Sequence, residues 1–94
     1  MEFEWDANKA DRNLRKHGVS FEDAARVFLD PYRVEALDDR EDYGEERWKT
    51  VGLVAPARLT VVSTVCGKDG SLIRLISARK ADADERAQYS EVQT

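Results

Sequence analysis

The stretch that decides the fold reads Leu59-Thr60-Val61-Val62-Ser63-Thr64-Val65-Cys66, then Gly67-Lys68-Asp69-Gly70, then Ser71-Leu72-Ile73-Arg74-Leu75-Ile76-Ser77. The first run is β-branched and nearly apolar, as expected of a central strand. Gly67-Lys68-Asp69-Gly70 is a strong hairpin turn. Residues 71–77 form the returning strand, with Ile73 and Leu75 on one face and Leu72, Arg74 and Ile76 on the other. Upstream, Ala55-Pro56-Ala57 is a turn. Residues 47–54 alternate as a strand with Trp48 on one face and Arg47 and Lys49 on the other. Residues 32–37 alternate as well, and the acidic loop 38–46 follows them. Short connections make these strands an antiparallel meander.

The ends of the chain complete the pattern. Phe3 and Trp5 alternate with Glu2, Glu4 and Asp6 as a short N-terminal strand. Asp6 caps a helix running to about His17, thinly apolar beyond Leu14, and Gly18 ends it. Ser20 caps a second helix, whose apolar stripe is Phe21, Ala24, Ala25, Val27, Phe28 and Leu29; Asp30-Pro31 stops it. Asp82 and Glu85 have capping-box spacing and open a last helix carrying Tyr89. The predicted fold is α+β: an N-terminal strand, two helices, a four-stranded antiparallel meander and a C-terminal helix. It forms a single domain over residues 1–94, with the helices on one face of the sheet and the other face open.

Composition bounds the function. The chain is 41% hydrophobic and 36% charged, enough apolar residue to fold beneath a charge-dense surface. No apolar run approaches the roughly 18 residues of a membrane span, and the acidic N-terminus does not read as a secretory signal. One cysteine, Cys66, excludes an internal disulfide framework and a Cys-rich zinc site, and the expected location is cytoplasmic. The net charge of −4 argues against nucleic acid, but its distribution does not. Residues 34–46 hold seven acidic groups and one basic, whereas residues 47–80 hold seven basic groups and one acidic. That segment reads either as charged strand surface or as an anion-binding patch.

Arg74 sharpens the second reading. It interrupts an apolar strand, so it must meet solvent, an acidic partner or a ligand. Arg79 lies just past the same strand and Arg47 opens another. Three guanidiniums converging on an open sheet face would clamp a phosphate. Lys16 and His17 end the first helix, where cations complement the dipole, and His17 is also a candidate proton carrier. There is no glycine-rich phosphate loop, no nucleophile elbow and no His pair at metal spacing. The acidic loop, with Asp39, Glu41 and Asp42, lacks calcium-loop spacing and reads as a solvated loop; no metal or cofactor is expected.

Phe3-Glu4-Trp5-Asp6, Lys9, Asn13, Lys16-His17-Gly18-Val19-Ser20-Phe21-Glu22, Ala24, Val27-Phe28 and Asp30-Pro31 resemble the opening of the BrnT family. So do Glu45-Glu46-Arg47-Trp48, Gly52, Ile73-Arg74-Leu75-Ile76-Ser77-Ala78-Arg79, Ala81, Glu85-Arg86 and Tyr89. The resemblance covers residues 3 to about 89. It implies a RelE-like ribonuclease toxin of a type II toxin–antitoxin system, cleaving RNA without a metal and arresting translation. It also implies neutralisation by a BrnA-type antitoxin, a ribbon-helix-helix DNA-binding protein, in a 2:2 heterotetramer that reaches DNA only through the antitoxin.

The mechanism expected on that footing is attack of a 2′-hydroxyl on the adjacent phosphodiester, leaving a 2′,3′-cyclic phosphate. Arg47, Arg74 and Arg79 would hold the phosphate, Lys16 or His17 would exchange protons, and Glu46 would act as base or orient an arginine. Lys49 and Lys80 would bind RNA, and Tyr89 would stack on a base. The family pattern implies aromatic-Thr-x-Arg in the third meander strand, where this chain has Ser63-Thr64-Val65-Cys66. It also implies a histidine in the acidic loop, near Glu41 or Asp42 here. The alternative from another class is a catalytically weak or inactive module that pairs with an antitoxin or transcriptional repressor. Direct DNA binding is not expected, because Glu22 and Asp23 open the second helix.

Overall fold

A computed structural model describes residues 1–38, 44–66 and 69–92. The elements in chain order are β1 (Glu2–Glu4), α1 (Ala7–His17), α2 (Phe21–Arg26) running into a 3₁₀ turn (Val27–Leu29), β2 (Val34–Asp38), β3 (Arg47–Val54), β4 (Ala57–Cys66), β5 (Leu72–Lys80) and α3 (Ala83–Val92). This is the predicted α+β order. Acidic-loop residues 39–43 and hairpin residues 67–68 lie outside the described residues.

Local signals behave as their chemistry requires. The Asp6 carboxylate accepts from the N–H groups of Asn8 and Lys9 at 2.8 and 3.1 Å. Gly18 takes φ +71°, open to glycine without strain, and its N–H donates to Leu14 O. Ser20 Oγ accepts from Asp23 N. At α3 the capping box is reciprocal: Asp82 N donates to Glu85 Oε1 and Glu85 N to Asp82 Oδ1, both at 2.9 Å.

The five strands form one sheet in the order β1-β5-β4-β3-β2. β2 to β5 are the antiparallel meander, and β1 lies parallel beside β5. One face, with Leu59, Val61, Ile73, Leu75 and Ala78, packs against Val19, Phe21, Ala24, Val27 and Phe28 of the helical layer. Gly52 admits that layer: a Cβ there would stand 2.7 Å from Val27 Cγ1 and 3.1 Å from Val27 O.

α1 is anchored by a polar residue rather than by Leu14, which is half exposed. Asn13 is buried; its Nδ2 donates to Val19 O at 2.9 Å and Ala78 O at 2.8 Å, and its Oδ1 accepts from Ala78 N at 3.0 Å. A side-chain amide thus continues the edge pairing of β5 past the point where β1 ends.

Two expectations need correction. The helices do not share one face. α3 packs on the side away from α1 and α2, where Tyr89 and Ala81 cluster with Val51 and Val34. Val34 and Val51 are register partners and so present an apolar pair to that side, which α3 covers. Second, β5 continues to Lys80, so Arg79 is inside the strand and not beyond it.

A bulge in β5 sets which side chains share a face. Ser63 pairs with Leu75 and Val62 with Ser77, so Ile76 is an extra residue. Under strict alternation, Arg74 and Arg79 would point to opposite faces. With the bulge, Arg74 stands opposite Thr64 and Arg79 opposite Thr60, and both face away from α1 and α2.

Candidate functional site

The face away from α1 and α2 carries Arg47 and Lys49 from β3 and Arg74 and Arg79 from β5. β4 runs between them and contributes Thr60, Val62 and Thr64 to the same side. The sequence expectation that three arginines share one sheet face holds in this geometry, together with Lys49.

Carboxylates meet these cations. β1 places Glu4 in register with Arg74, and Arg74 Nε and Nη2 lie 2.8 and 2.7 Å from Glu4 Oε1. The pair is well exposed, and Glu4 raises the already high pKa of Arg74, which stays charged. Arg47 Nε lies 3.6 Å from Glu45 Oε1, and its register partner is the buried Asp38.

Glu85 is the densest node. Arg79 grips it with both guanidinium arms at 2.7 and 2.9 Å, Thr60 Oγ1 donates to it at 2.9 Å, and Lys49 Nζ stands 3.4 Å away. Its side chain is only 4% exposed. Burial alone would push its pKa up. Arg79, the Asp82 N–H and the Thr60 hydroxyl overcome that and bring it down to about 2. Sequence reading saw Glu85 only as a capping acid. The signal for its second role is an acid placed just past a strand that ends in Arg79-Lys80.

The other named residues divide. The exposed Glu46 immediately precedes Arg47, and Thr64 Oγ1 donates to its carbonyl at 2.7 Å, fixing the start of β3 from the cationic face. Lys80 pairs with Leu59 and lines a groove with Gly18 and Val19 on the helix-bearing side. Lys16 and His17, in the last turn of α1, belong to that side too, so they are not brought together with Arg74 and Arg79.

Tyr89 is a correction. It is 2% exposed, its hydroxyl donates to Asp30, and Arg58 covers its ring at 5.6 Å. A ring enclosed this way has no free face for a base. Asp30, read from sequence only as a helix stop, also accepts from Leu53 N at 2.8 Å and Tyr32 N at 2.9 Å. Burial opposes ionisation of Asp30, but Tyr89 and these N–H groups hold its pKa below the usual carboxylate value.

A five-stranded sheet flanked by helices in this way has a known structural counterpart. Residues 5–85 match the family model described as "Ribonuclease toxin, BrnT, of type II toxin-antitoxin system". The chain belongs to this family of ribonuclease toxins, and membership implies an antitoxin partner. In fold it is similar to the crystal structure of the Brucella abortus ribonuclease toxin, BrnT. The TM-score is 0.64 at 24% identity, over 87% of this chain and 97% of that one. Among curated proteins, no relative matches. Among the described residues, no helix is long and apolar enough to cross a membrane.

Proposed function

We propose that this chain cleaves RNA on the face carrying Arg47, Lys49, Arg74 and Arg79, by attack of a 2′-hydroxyl on its own 3′-phosphodiester. The O2′–P bond forms, the P–O5′ bond breaks, and the products are a 2′,3′-cyclic phosphate and a 5′-hydroxyl. The arginines stabilise the charge that develops on the phosphoryl oxygens, so no metal is required. The observation that carries the proposal is the Ile76 bulge, which turns Arg74 and Arg79 to the same side as Arg47 and Lys49. The Arg79 fork already holds a carboxylate in the two-armed geometry that suits phosphate equally.

Glu46, which immediately precedes Arg47, is the candidate base for the 2′-hydroxyl proton, and water supplies the proton that the departing 5′-oxygen takes up. Lys16 and His17 lie across the sheet, where they complement the α1 dipole. The expected setting is the cytoplasm, with translation arrest as the outcome. The expected partner is a BrnA-type ribbon-helix-helix antitoxin in a 2:2 complex that alone contacts DNA.

The test is cleavage of a model RNA in EDTA with analysis of the new 3′ ends. Cyclic phosphate formed under chelation is the expected result, and loss of cleavage on chelation overturns the metal-free reaction. Glu46→Gln is expected to lower the rate at least 100-fold and His17→Gln less than tenfold; the reverse order moves the proton carrier to α1. A second reading, a weak or inactive antitoxin-binding module, draws on the carboxylates facing Arg47, Arg74 and Arg79. Expression of the chain alone separates the two: growth arrest with RNA decay supports the enzyme, and harmless expression supports the module.

A further inference from the structure

Where β1 ends, β5 bulges at Ile76 and α1 begins, the surface opens into a notch of about 310 Å³, lined by Glu4, Trp5, Lys9, Arg74 and Ile76. Its polar groups are of both signs. Lys9 is exposed on the first turn of α1; its charge bears on Asp6, but among the described residues it closes no ion pair. Both close contacts of Arg74 fall on Glu4 Oε1, which leaves Glu4 Oε2 and Arg74 Nη1 to other partners. Trp5 is half-buried and meets Phe21 edge-on, with centroids 6.0 Å apart.

We propose that this notch binds a guanine base of the substrate RNA, a second subsite beside the phosphate-holding arginines. The inference rests on the ribonuclease reading above and extends it to base selection. Net charge explains why the ligand is a base and not a phosphate. Glu4 and Asp6 balance Lys9 and Arg74, so a dianion gains nothing there, whereas a base with donors and acceptors on its edges uses both signs. Guanine offers O6 and N7 to Lys9 and Arg74 and its amino group to Glu4 Oε2, and Trp5 provides an aromatic surface for its ring. Adenine has no carbonyl for the cations and uracil has no amino group for the carboxylate; cytosine has both, but its single ring offers less surface to lay on Trp5 than a purine does. The subsite is continuous with the cationic face because Arg74 belongs to both. Arg74 turns toward β1 and Arg79 toward α3, so the two arginines meet successive points along a strand.

The experiment measures fluorescence anisotropy of labelled 2′-O-methyl tetranucleotides, UUGU, UUAU, UUCU and UUUU, which lack the attacking hydroxyl. The full chain is expected to bind UUGU about tenfold tighter than UUUU. Lys9→Ala and Trp5→Leu are each expected to erase that preference while leaving residual binding of UUUU. Equal affinity for all four, or a preference that survives Lys9→Ala, overturns the proposal. If Trp5→Leu loses its circular dichroism, Lys9→Ala decides, since that side chain is exposed on a helix. Guanosine monophosphate binding as tightly as UUGU also overturns it, in favour of a free-nucleotide site. Failure of the ribonuclease reading is separate: a chain that prefers UUGU but cleaves nothing keeps the notch and loses the enzyme. A chain that cleaves without base preference does the opposite.

Discussion

Arg79 holds Glu85 through two parallel hydrogen bonds, Nη1 to Oε1 at 2.7 Å and Nη2 to Oε2 at 2.9 Å, and so joins the end of β5 to the first turn of α3. The pair lies among Thr60, Lys49 and the Asp82 N–H, which makes one carboxylate the clasp between sheet and helix.

That clasp carries a pH dependence. The folded pKa of Glu85, about 2, lies below its ordinary 4.5, so its stabilisation is fully present above pH 4.5 and is lost as pH falls toward 2. The contribution is on the order of 3 kcal/mol, at about 1.4 kcal/mol per unit. Acid titration of the melting temperature is expected to drop through this window in the parent and to be flatter in Glu85→Gln. At neutral pH, Glu85→Gln removes the negative charge that Arg79 and Lys49 face and costs roughly 3 kcal/mol by denaturant unfolding.

Asn13→Ala removes three hydrogen bonds in a buried setting and strands the Ala78 N–H and C=O. A loss of about 2–4 kcal/mol is expected in urea unfolding. Leu14→Ala, at a half-exposed neighbour, is expected to cost under about 1 kcal/mol.

Gly52→Ala forces a Cβ against Val27, 2.7 Å from its Cγ1. The expected cost is about 1–3 kcal/mol from overpacking. Adding Val27→Ala removes the Cγ1 contact and leaves only the 3.1 Å approach to Val27 O, so a double-mutant cycle should show coupling of roughly 1 kcal/mol. Additive losses would mean that the two residues do not meet.

Tyr89→Phe keeps the ring and deletes the hydroxyl that bonds Asp30. Thermal unfolding is expected to show a loss of about 1–2 kcal/mol, with RNA affinity unaltered because the ring is enclosed.

Arg74→Ala and Arg79→Ala are each expected to lower RNA cleavage about 100-fold. Arg79→Lys is expected to recover little, since an ammonium cannot replace a two-armed contact. Cleavage by the parent protein should weaken steeply with added salt; a rate indifferent to ionic strength would remove these cations from substrate binding.

Sequence legibility followed the range of each interaction. Asp6, Gly18, Ser20 and the Asp82/Glu85 box act within a few residues, so their helix ends were readable directly. The meander was readable for the same reason. The side of the sheet taken by α3 depends on Val51 and Val34, which become neighbours only after β2 and β3 pair. Sequence sets Tyr89 against an RNA base because nothing local announces that Asp30, 59 residues away, takes its hydroxyl. Arg74 and Arg79 were placed on one face from sequence, but alternation alone would have separated them, and the Ile76 bulge that reconciles them has no local signature. That these arginines act together is legible from charge alone, since Arg74 interrupts an apolar strand and Arg79 and Arg47 lie near strand ends; the family resemblance adds RNA as the substrate.

Among the described strands, β1 is the earliest in sequence and pairs with β5, the furthest from it. Glu4 therefore waits for Arg74 across 70 residues of chain. Contacts this distant in sequence form late in folding. Until that pairing forms, the Arg74 end of the cationic face lacks its outer strand, so this corner of the sheet depends on the longest-range strand contact described.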